Sequence, residues 1–148
     1  MEIEKAAKLS LKNILKEGLT DIFPRPFELD LLKNEYFQKI LIRNVSRCLK
    51  GNSLESLEIY PIEHVLLPKG GPFDFRRCAL IHPLDTLTFL ALVLTFADEL
   101  ENYRPARGRK IVFSYRFKPY KGYLFDLKYN ITSFNKHVSR KIRQKDEI

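Results

Sequence analysis

Lys69, Arg76 and Arg77 are the side chains of this chain best suited to hold an anion. They flank a glycine turn in the string Leu67-Pro68-Lys69-Gly70-Gly71-Pro72-Phe73-Asp74-Phe75-Arg76-Arg77. A lysine ammonium is a compact charge that can reach a β- or γ-phosphate. An arginine guanidinium can clamp phosphate oxygens two at a time. A lysine at a strand end, a glycine turn and an arginine pair on the returning strand converge at one hairpin tip. Such a tip can hold a polyphosphate or a nucleic-acid backbone. The pattern is equally compatible with a solvated basic turn. Adjacent strand residues face opposite sides, so the sequence leaves open which of Arg76 and Arg77 points toward the phosphates.

A second group lies further on. Phe113, Tyr115, Arg116, Phe117, Lys118, Tyr120, Lys121 and Tyr123 interleave rings with cations. Rings stack on bases or riboses while cations meet phosphates, an arrangement suited to single strands or hybrids. Alternatively, Phe113, Tyr115 and Phe117 share one parity and would be core-facing residues of a strand. A basic loop with Arg107, Arg109 and Lys110 precedes this run, and a last helix with His137, Arg140, Lys141 and Arg143 follows it. The candidate nucleic-acid contacts are therefore Arg107, Arg109, Lys110, Tyr115, Arg116, Lys118, Arg140 and Lys141. Charge supports this placement. Residues 101–148 hold 13 Lys+Arg against 4 Asp+Glu, whereas residues 1–100 hold 13 against 14. A pI near 9.5 with its excess in the last third suggests a polyanion partner, or a solvated basic tail.

Other chemistry finds little footing. His64, His82 and His137 have no metal-ligand spacing, and no GxxxxGK[ST] string or nucleophile elbow occurs. The aspartates Asp21, Asp74, Asp85, Asp98 and Asp126 are scattered, with no pair spaced to hold two metal ions. No catalytic residue and no metal site is expected in this chain. Cys48 and Cys78 lie in helical or apolar patterns without CxxC spacing, which suggests reduced thiols and a cytoplasmic protein. The opening Met1-Glu2-Ile3-Glu4-Lys5 has no apolar signal segment, and the apolar stretch Leu87–Ala97 is far short of the ~20 residues that a membrane helix needs. No membrane partner is expected.

The elements that must position these residues follow from periodicity. A first helix is expected over 2–17, stopped by Gly18. Pro24 and Pro26 impose an extended loop, whose aromatic residues would anchor it to the core. A long helix over 28–49 would bury Leu31, Leu32, Tyr36, Ile40, Leu41 and Val45. Strands over 57–68 and 77–81 would form the hairpin. Asp85 would cap an apolar helix running to about Tyr103, and 111–117 has strand content. Asn130 or Thr132 would cap a last helix over 133–144. The fold class is α+β, helix-rich, with a small antiparallel hairpin or sheet. Residues 1–148 are expected as one unit: an N-terminal helix (1–17), a loop and long helix (18–56), a hairpin–helix–strand segment (57–123) and a basic C-terminal helix (124–148).

In this order the pieces resemble the N-terminal and fingers region of a bacterial reverse transcriptase, of the group II intron, retron and phage-defence types. The residues that carry the resemblance are Leu67-Pro68-Lys69, Arg76-Arg77, Ile81-His82-Pro83-Leu84-Asp85 and Ser114-Tyr115-Arg116-Phe117, with Thr20-Asp21-Ile22-Phe23-Pro24 upstream. The resemblance covers about residues 18 to 145. It implies a fingers-like fold and an RNA-directed DNA polymerase family. Lys69 and one of Arg76 or Arg77 would contact the triphosphate of an incoming nucleotide. The Tyr115-Arg116 strand would support the template path. The partners implied are nucleic acid (RNA template or DNA), and the palm portion or another protein subunit. The palm's metal-binding aspartates, including its Tyr-x-Asp-Asp turn, are not in this chain. Mg2+ and dNTP are expected only with that palm, and no polymerisation is expected from this chain alone. The other expectations are a stand-alone nucleic-acid-binding module or a truncated interaction subunit.

Overall fold

The computed structural model describes residues 1–18, 27–51, 59–71 and 73–146. The expected Pro24/Pro26 loop, the Thr20–Pro24 string and the first residues of the expected strand over 57–68 lie outside them. By contact the chain falls into two compact units, Met1–Thr95 and Phe96–Ile148. The class is α+β: five α-helices and two separate two-stranded antiparallel sheets among the described residues.

In the first unit, helix α1 (Ile3–Glu17) ends at Gly18, whose φ of 81° only glycine adopts freely and whose N–H donates to Ile14 O. The long helix expected over 28–49 is broken in two. Helix α2 is Glu28–Leu31, and helix α3 is Glu35–Lys50. The break is chemical: Asn34 has extended backbone, and its side-chain oxygen accepts the N–H groups of Tyr36 and Phe37 at 3.0 and 3.1 Å. An asparagine that satisfies the orphan donors of a following helix starts that helix. Gln38 then donates to Leu32 O at 2.8 Å and fixes the turn. Two residues expected in the apolar stripe consequently face outward: Leu31 is 40% exposed and Tyr36 75%.

Ala7, Leu11 and Ile14 of α1 meet Leu29, Leu32, Leu41 and Val45, and Leu87 and Ala91 of the next helix complete the cluster. Each buried leucine contributes about 1.5–3 kcal/mol through removal of its apolar surface from water. That next helix, α4, is Pro83–Tyr103, with proline at the first position, where its missing N–H is harmless. Ser10 Oγ donates to Leu87 O at 2.9 Å, and the N-terminal ammonium donates to Thr95 O at 2.7 Å, so these two polar groups are matched.

Strands β1 (Glu63–Pro68) and β2 (Phe75–Leu80) pair antiparallel in the expected hairpin. Its base is tied to the helices. Tyr60 stacks on His82 at 3.8 Å, and His82 Nε2 lies 3.6 Å from Glu28 Oε1. Asp85 is not the cap of α4. It lies within the first turn, and its carboxylate accepts the Tyr60 N–H at 2.9 Å.

In the second unit, the strand expected over 111–117 does not form. Tyr115 has φ +52°, outside the β region, and residues 111–116 are irregular. The strands lie later, as β3 (Phe117–Tyr120) paired with β4 (Tyr123–Phe125). Helix α5 (Ile131–Asp146) starts two residues before its expected position. Asn130 is its cap: Oδ1 accepts the Ser133 N–H at 2.9 Å, and Ser133 Oγ accepts the Asn130 N–H at 3.0 Å. This is the reciprocal geometry of a capping box, with serine in the usual Glu/Gln place.

Candidate nucleic-acid interface

The second unit is organised by one carboxylate. Glu101, in the last turns of α4, has a side chain only 13% exposed. Its Oε1 accepts Arg116 Nε at 2.7 Å and Arg107 Nη2 at 3.2 Å, and its Oε2 accepts the Phe117 N–H at 3.1 Å. Burial acts to raise the Glu101 pKa. The hydrogen bonds from Arg116 and Phe117 and the charges of Arg116 and Arg107 outweigh it, and hold the carboxyl below its ordinary range. Arg107 Nη2 also donates to Phe117 O and Arg116 Nη1 to Pro105 O, each at 2.7 Å, whereas Arg107 Nε is buried without a hydrogen-bond partner among the described residues. Arg104 donates to the carbonyls of Ser114 and Tyr115 and holds the irregular segment in place.

Two of the sequence candidates are therefore structural. Arg116 is 3% exposed with its guanidinium spent on Glu101 and a carbonyl. It is buried rather than exposed, where a nucleic-acid contact would need it at the surface. Arg107 is half-buried, with its Nη2 donating to both Glu101 and Phe117 O. The sequence could not show this, because a lone glutamate fifteen residues upstream gives no sign that it will meet both arginines.

Beside this node a cleft of about 430 Å³ opens. Lys110, Lys128, Lys136 and Arg140 supply its cations, Phe113, Tyr129 and His137 its rings, and Ser133 a hydroxyl. Among the described residues no carboxylate lines it. Lys110 is held at φ +51° after the 3-10 turn Arg107–Arg109. On α5, Ser133, Lys136, His137 and Arg140 stand at i, i+3, i+4 and i+7 and so share one face. Phe113 is the central ring, with centroids 6.1 Å from Tyr129, 5.7 Å from Phe134 and 5.2 Å from His137. Tyr129 is fixed by its hydroxyl, which donates to Arg107 O at 3.0 Å.

His137 reports the field in this cleft. Its pKa is lowered, first by burial of the ring, then by the positive charges of Arg140, Lys110 and Lys141. Its Nδ1 is buried without a hydrogen-bond partner among the described residues.

Of the sequence candidates, Lys110 and Arg140 meet in the cleft. Lys141 is exposed on α5 and contributes charge, and Arg109 is exposed on the turn before Lys110. Tyr115 and Lys118 lie elsewhere in the unit. Tyr115 is 70% exposed, edge-on to Phe125 at 5.1 Å, and Lys118 Nζ is 3.8 Å from Asp126 Oδ2. Lys128, Tyr129 and Lys136 were not among the candidates, although the i, i+3, i+4, i+7 spacing on α5 points to Lys136.

The hairpin tip belongs to the first unit. Leu67 pairs with Arg76 and Leu66 with Arg77, so the two arginines lie on opposite faces. Arg76 shares the face of Val65, Leu67, Cys78 and Leu80, the half-buried side of the hairpin. Lys69 continues that alternation, and its N–H donates to Asp74 O at 2.8 Å while its Nζ lies 3.9 Å from Asp74 Oδ1. Gly70 makes the turn at φ +96°. Lys69 and Arg76 thus share one side, and Arg77 faces the other.

Among the described residues no group of three or more His, Cys, Asp or Glu could hold a metal ion. Cys48 and Cys78 are free and half-buried. No helix among the described residues is long and apolar enough to cross a membrane. No protein-family model, no curated protein and no solved structure matches this chain.

Proposed function

We propose that this chain binds nucleic acid, as the fingers-like part of a reverse-transcriptase-like protein acting in the cytoplasm, and that its second unit grips a single strand in the basic cleft. The observation that carries this reading is the cleft itself: four cations and three rings around about 430 Å³, with no carboxylate among the described residues of the lining. Phosphates would meet Lys110, Lys128, Lys136 and Arg140. A base or ribose would lie against the Phe113 and Tyr129 rings, where stacking is worth about 1–3 kcal/mol per base. The polymerase part of the reading rests on the order of Pro68-Lys69, Arg76-Arg77, Pro83-Leu84-Asp85 and Ser114-Tyr115-Arg116-Phe117 along the chain. Template and nucleotide would be held here, and the metal-dependent chemistry would belong to a palm.

The test is binding of a fluorescent single-stranded oligonucleotide over a salt series. Phosphate contacts give a log–log slope of about −0.7 per contact. The double variant Lys136→Glu, Arg140→Glu is expected to weaken binding at least tenfold and to flatten the slope. Unchanged affinity in that variant, or a wild-type response indifferent to salt, sinks the reading.

A second reading is a docking subunit. Phe96, Leu100 and Tyr103 stand at i, i+4 and i+7 on the last turns of α4, and are 53%, 58% and 90% exposed. Sedimentation separates the two: a docking subunit self-associates or needs a protein partner, and binds no oligonucleotide.

A further inference from the structure

We propose that the groove between α1 and α3 is a second phosphate-backbone site, in which a nucleic-acid strand lies along Lys39, Arg43, Arg47 and Lys50 with Lys8 facing them. This site goes beyond the cleft of the second unit and stands on different residues. The groove has a volume of about 740 Å³, and these five cations line it. Lys39, Arg43 and Arg47 repeat every fourth residue of α3, and Lys50 follows three residues later. With a rise of ~1.5 Å per residue, successive charges stand about 6 Å apart along the helix axis. That spacing is comparable with the separation of successive phosphates on an extended strand.

Glu4 is the single carboxylate among the described residues of the lining, and it is engaged by Lys8. Arg43 stays exposed while Val45 on the opposite side of the same helix turn is buried against the core, so the stripe is a surface held by the fold. An independent sign lies at the floor of the groove. Ser46 is 7% exposed, and its Oγ has no hydrogen-bond partner among the described residues. A buried hydroxyl without a partner is costly, and a phosphate oxygen settling between Arg43 and Arg47 would supply one once the hydroxyl rotates. A lipid headgroup carries the same chemistry. It is disfavoured here because Ile42 is the only large apolar residue among the described residues of the lining, whereas helices that lie on membranes pair their basic face with bulky apolar anchors.

The experiment uses the full chain and a labelled single-stranded oligonucleotide. Arg43→Glu with Arg47→Glu is expected to weaken binding at least tenfold and to reduce the salt slope by about 1.4, two contacts' worth. The charge-matched control Lys5→Glu with Lys12→Glu, on the part of α1 outside the groove, is expected to lose less than threefold. Should the arginine variant fail to fold, Lys39→Gln with Lys50→Gln tests the two ends of the stripe. Ser46→Ala is expected to melt no lower than wild type while binding several-fold more weakly. Equal losses in the arginine variant and the control overturn the site in favour of bulk charge. Binding to phosphatidylserine vesicles that the arginine variant loses, with its oligonucleotide affinity intact, overturns it in favour of a membrane surface. The two units are separable: an arginine variant that binds like wild type, beside a Lys136→Glu, Arg140→Glu variant that does not, overturns this site alone. The opposite pattern overturns the cleft alone.

Discussion

Arg116 and Glu101 form a buried ion pair, with Arg116 Nη2 2.6 Å from Glu101 Oε1 and the arginine side chain 3% exposed. The pair joins the end of α4 to the first residue of β3, because the same carboxylate also accepts the Phe117 N–H. In the second unit, where Ala97, Phe117 and Leu124 are the buried apolar side chains among the described residues, this polar node carries much of the positioning.

Arg116→Ala is therefore expected to destabilise the second unit by about 3 kcal/mol, the lower end for removing one partner of a buried pair, because Glu101 keeps Arg107 and the Phe117 N–H. Arg116→Lys should recover only part of this, since an ammonium cannot reach Glu101 and the Pro105 carbonyl in one fork. Urea unfolding followed by amide signals of residues 117–125 measures both. An Arg116→Ala chain as stable as wild type, yet defective in oligonucleotide binding, would return Arg116 to the binding surface.

The same carboxylate predicts an acid dependence. Its folded pKa is depressed below the ordinary value of 4.5, so the folded state binds its proton less readily than the unfolded chain. The stabilisation is complete above that value and is lost as pH falls through the folded pKa. The urea midpoint of the second unit should drop as pH is lowered from about 4.5, and Glu101→Gln should remove that part of the slope. A Glu101→Gln chain with the wild-type acid slope would assign it to other carboxylates.

How far the sequence reaches depends on the range of the interaction. The α+β class, the Gly18 stop, the hairpin and the extent of α4 are local in origin, carried by glycine, proline and periodicity, and they are legible. The break at Asn34 was missed because the apolar stripe of 28–49 continues through it, while the cap acts through one side-chain oxygen. The strand expected over 111–117 failed because alternation describes side chains, whereas the backbone there is set by Arg104 and Arg116, both held from a distance. The basic groove on α3 was hidden by arithmetic. Residues 1–100 carry nearly balanced charge, yet the helix gathers Lys39, Arg43 and Arg47 on one face. Aromatic and basic residues of the last third suggested binding, but of the eight candidate contacts only Lys110 and Arg140 line the cleft, beside Phe113 and His137.

His137 is expected to titrate below the ordinary 6.5, with Arg140, Lys110 and Lys141 as the charges that depress it beyond the effect of burial. A histidine with a lowered folded pKa leaves stability full above its unfolded value, and reduces it as pH falls through the folded one. A polyanion in the cleft reverses the local field, so its binding should raise the His137 pKa and tighten as pH falls. The ring proton shifts of His137, followed by NMR with and without oligonucleotide, measure this. Arg140→Ala should raise the pKa of the free protein. A His137 titration indifferent to both changes removes it from the cleft's electrostatics.

Asn34→Ala should destabilise the first unit by about 1 kcal/mol, the usual loss for an N-cap that satisfies backbone donors. Asn34→Asp should retain most of the stability, since its carboxylate accepts the same N–H groups and favours the helix N-terminus. Urea midpoints for the three chains decide it. An Asn34→Ala chain of wild-type stability would mean that Gln38, through its bond to Leu32 O, holds the turn by itself.

The hairpin separates its two arginines, and that gives the nucleotide reading a sharp test. Lys69 and Arg76 share the face of Leu67, while Arg77 pairs with Leu66 on the other side. If the tip holds a triphosphate, Arg76→Ala should weaken dNTP binding several-fold, and Lys69→Ala should do the same. Arg77→Ala should leave it within twofold. Gly70→Ala, forced into φ +96°, should cost about 1–2 kcal/mol of hairpin stability and weaken the same binding by loosening the tip. Calorimetric titration with a dNTP and Mg2+ distinguishes the cases. A larger loss from Arg77→Ala than from Arg76→Ala would place the phosphates on the Leu66 face. No loss from either would leave the basic tip as a solvated turn, and would move the weight of the nucleic-acid reading onto the cleft at Lys136 and Arg140.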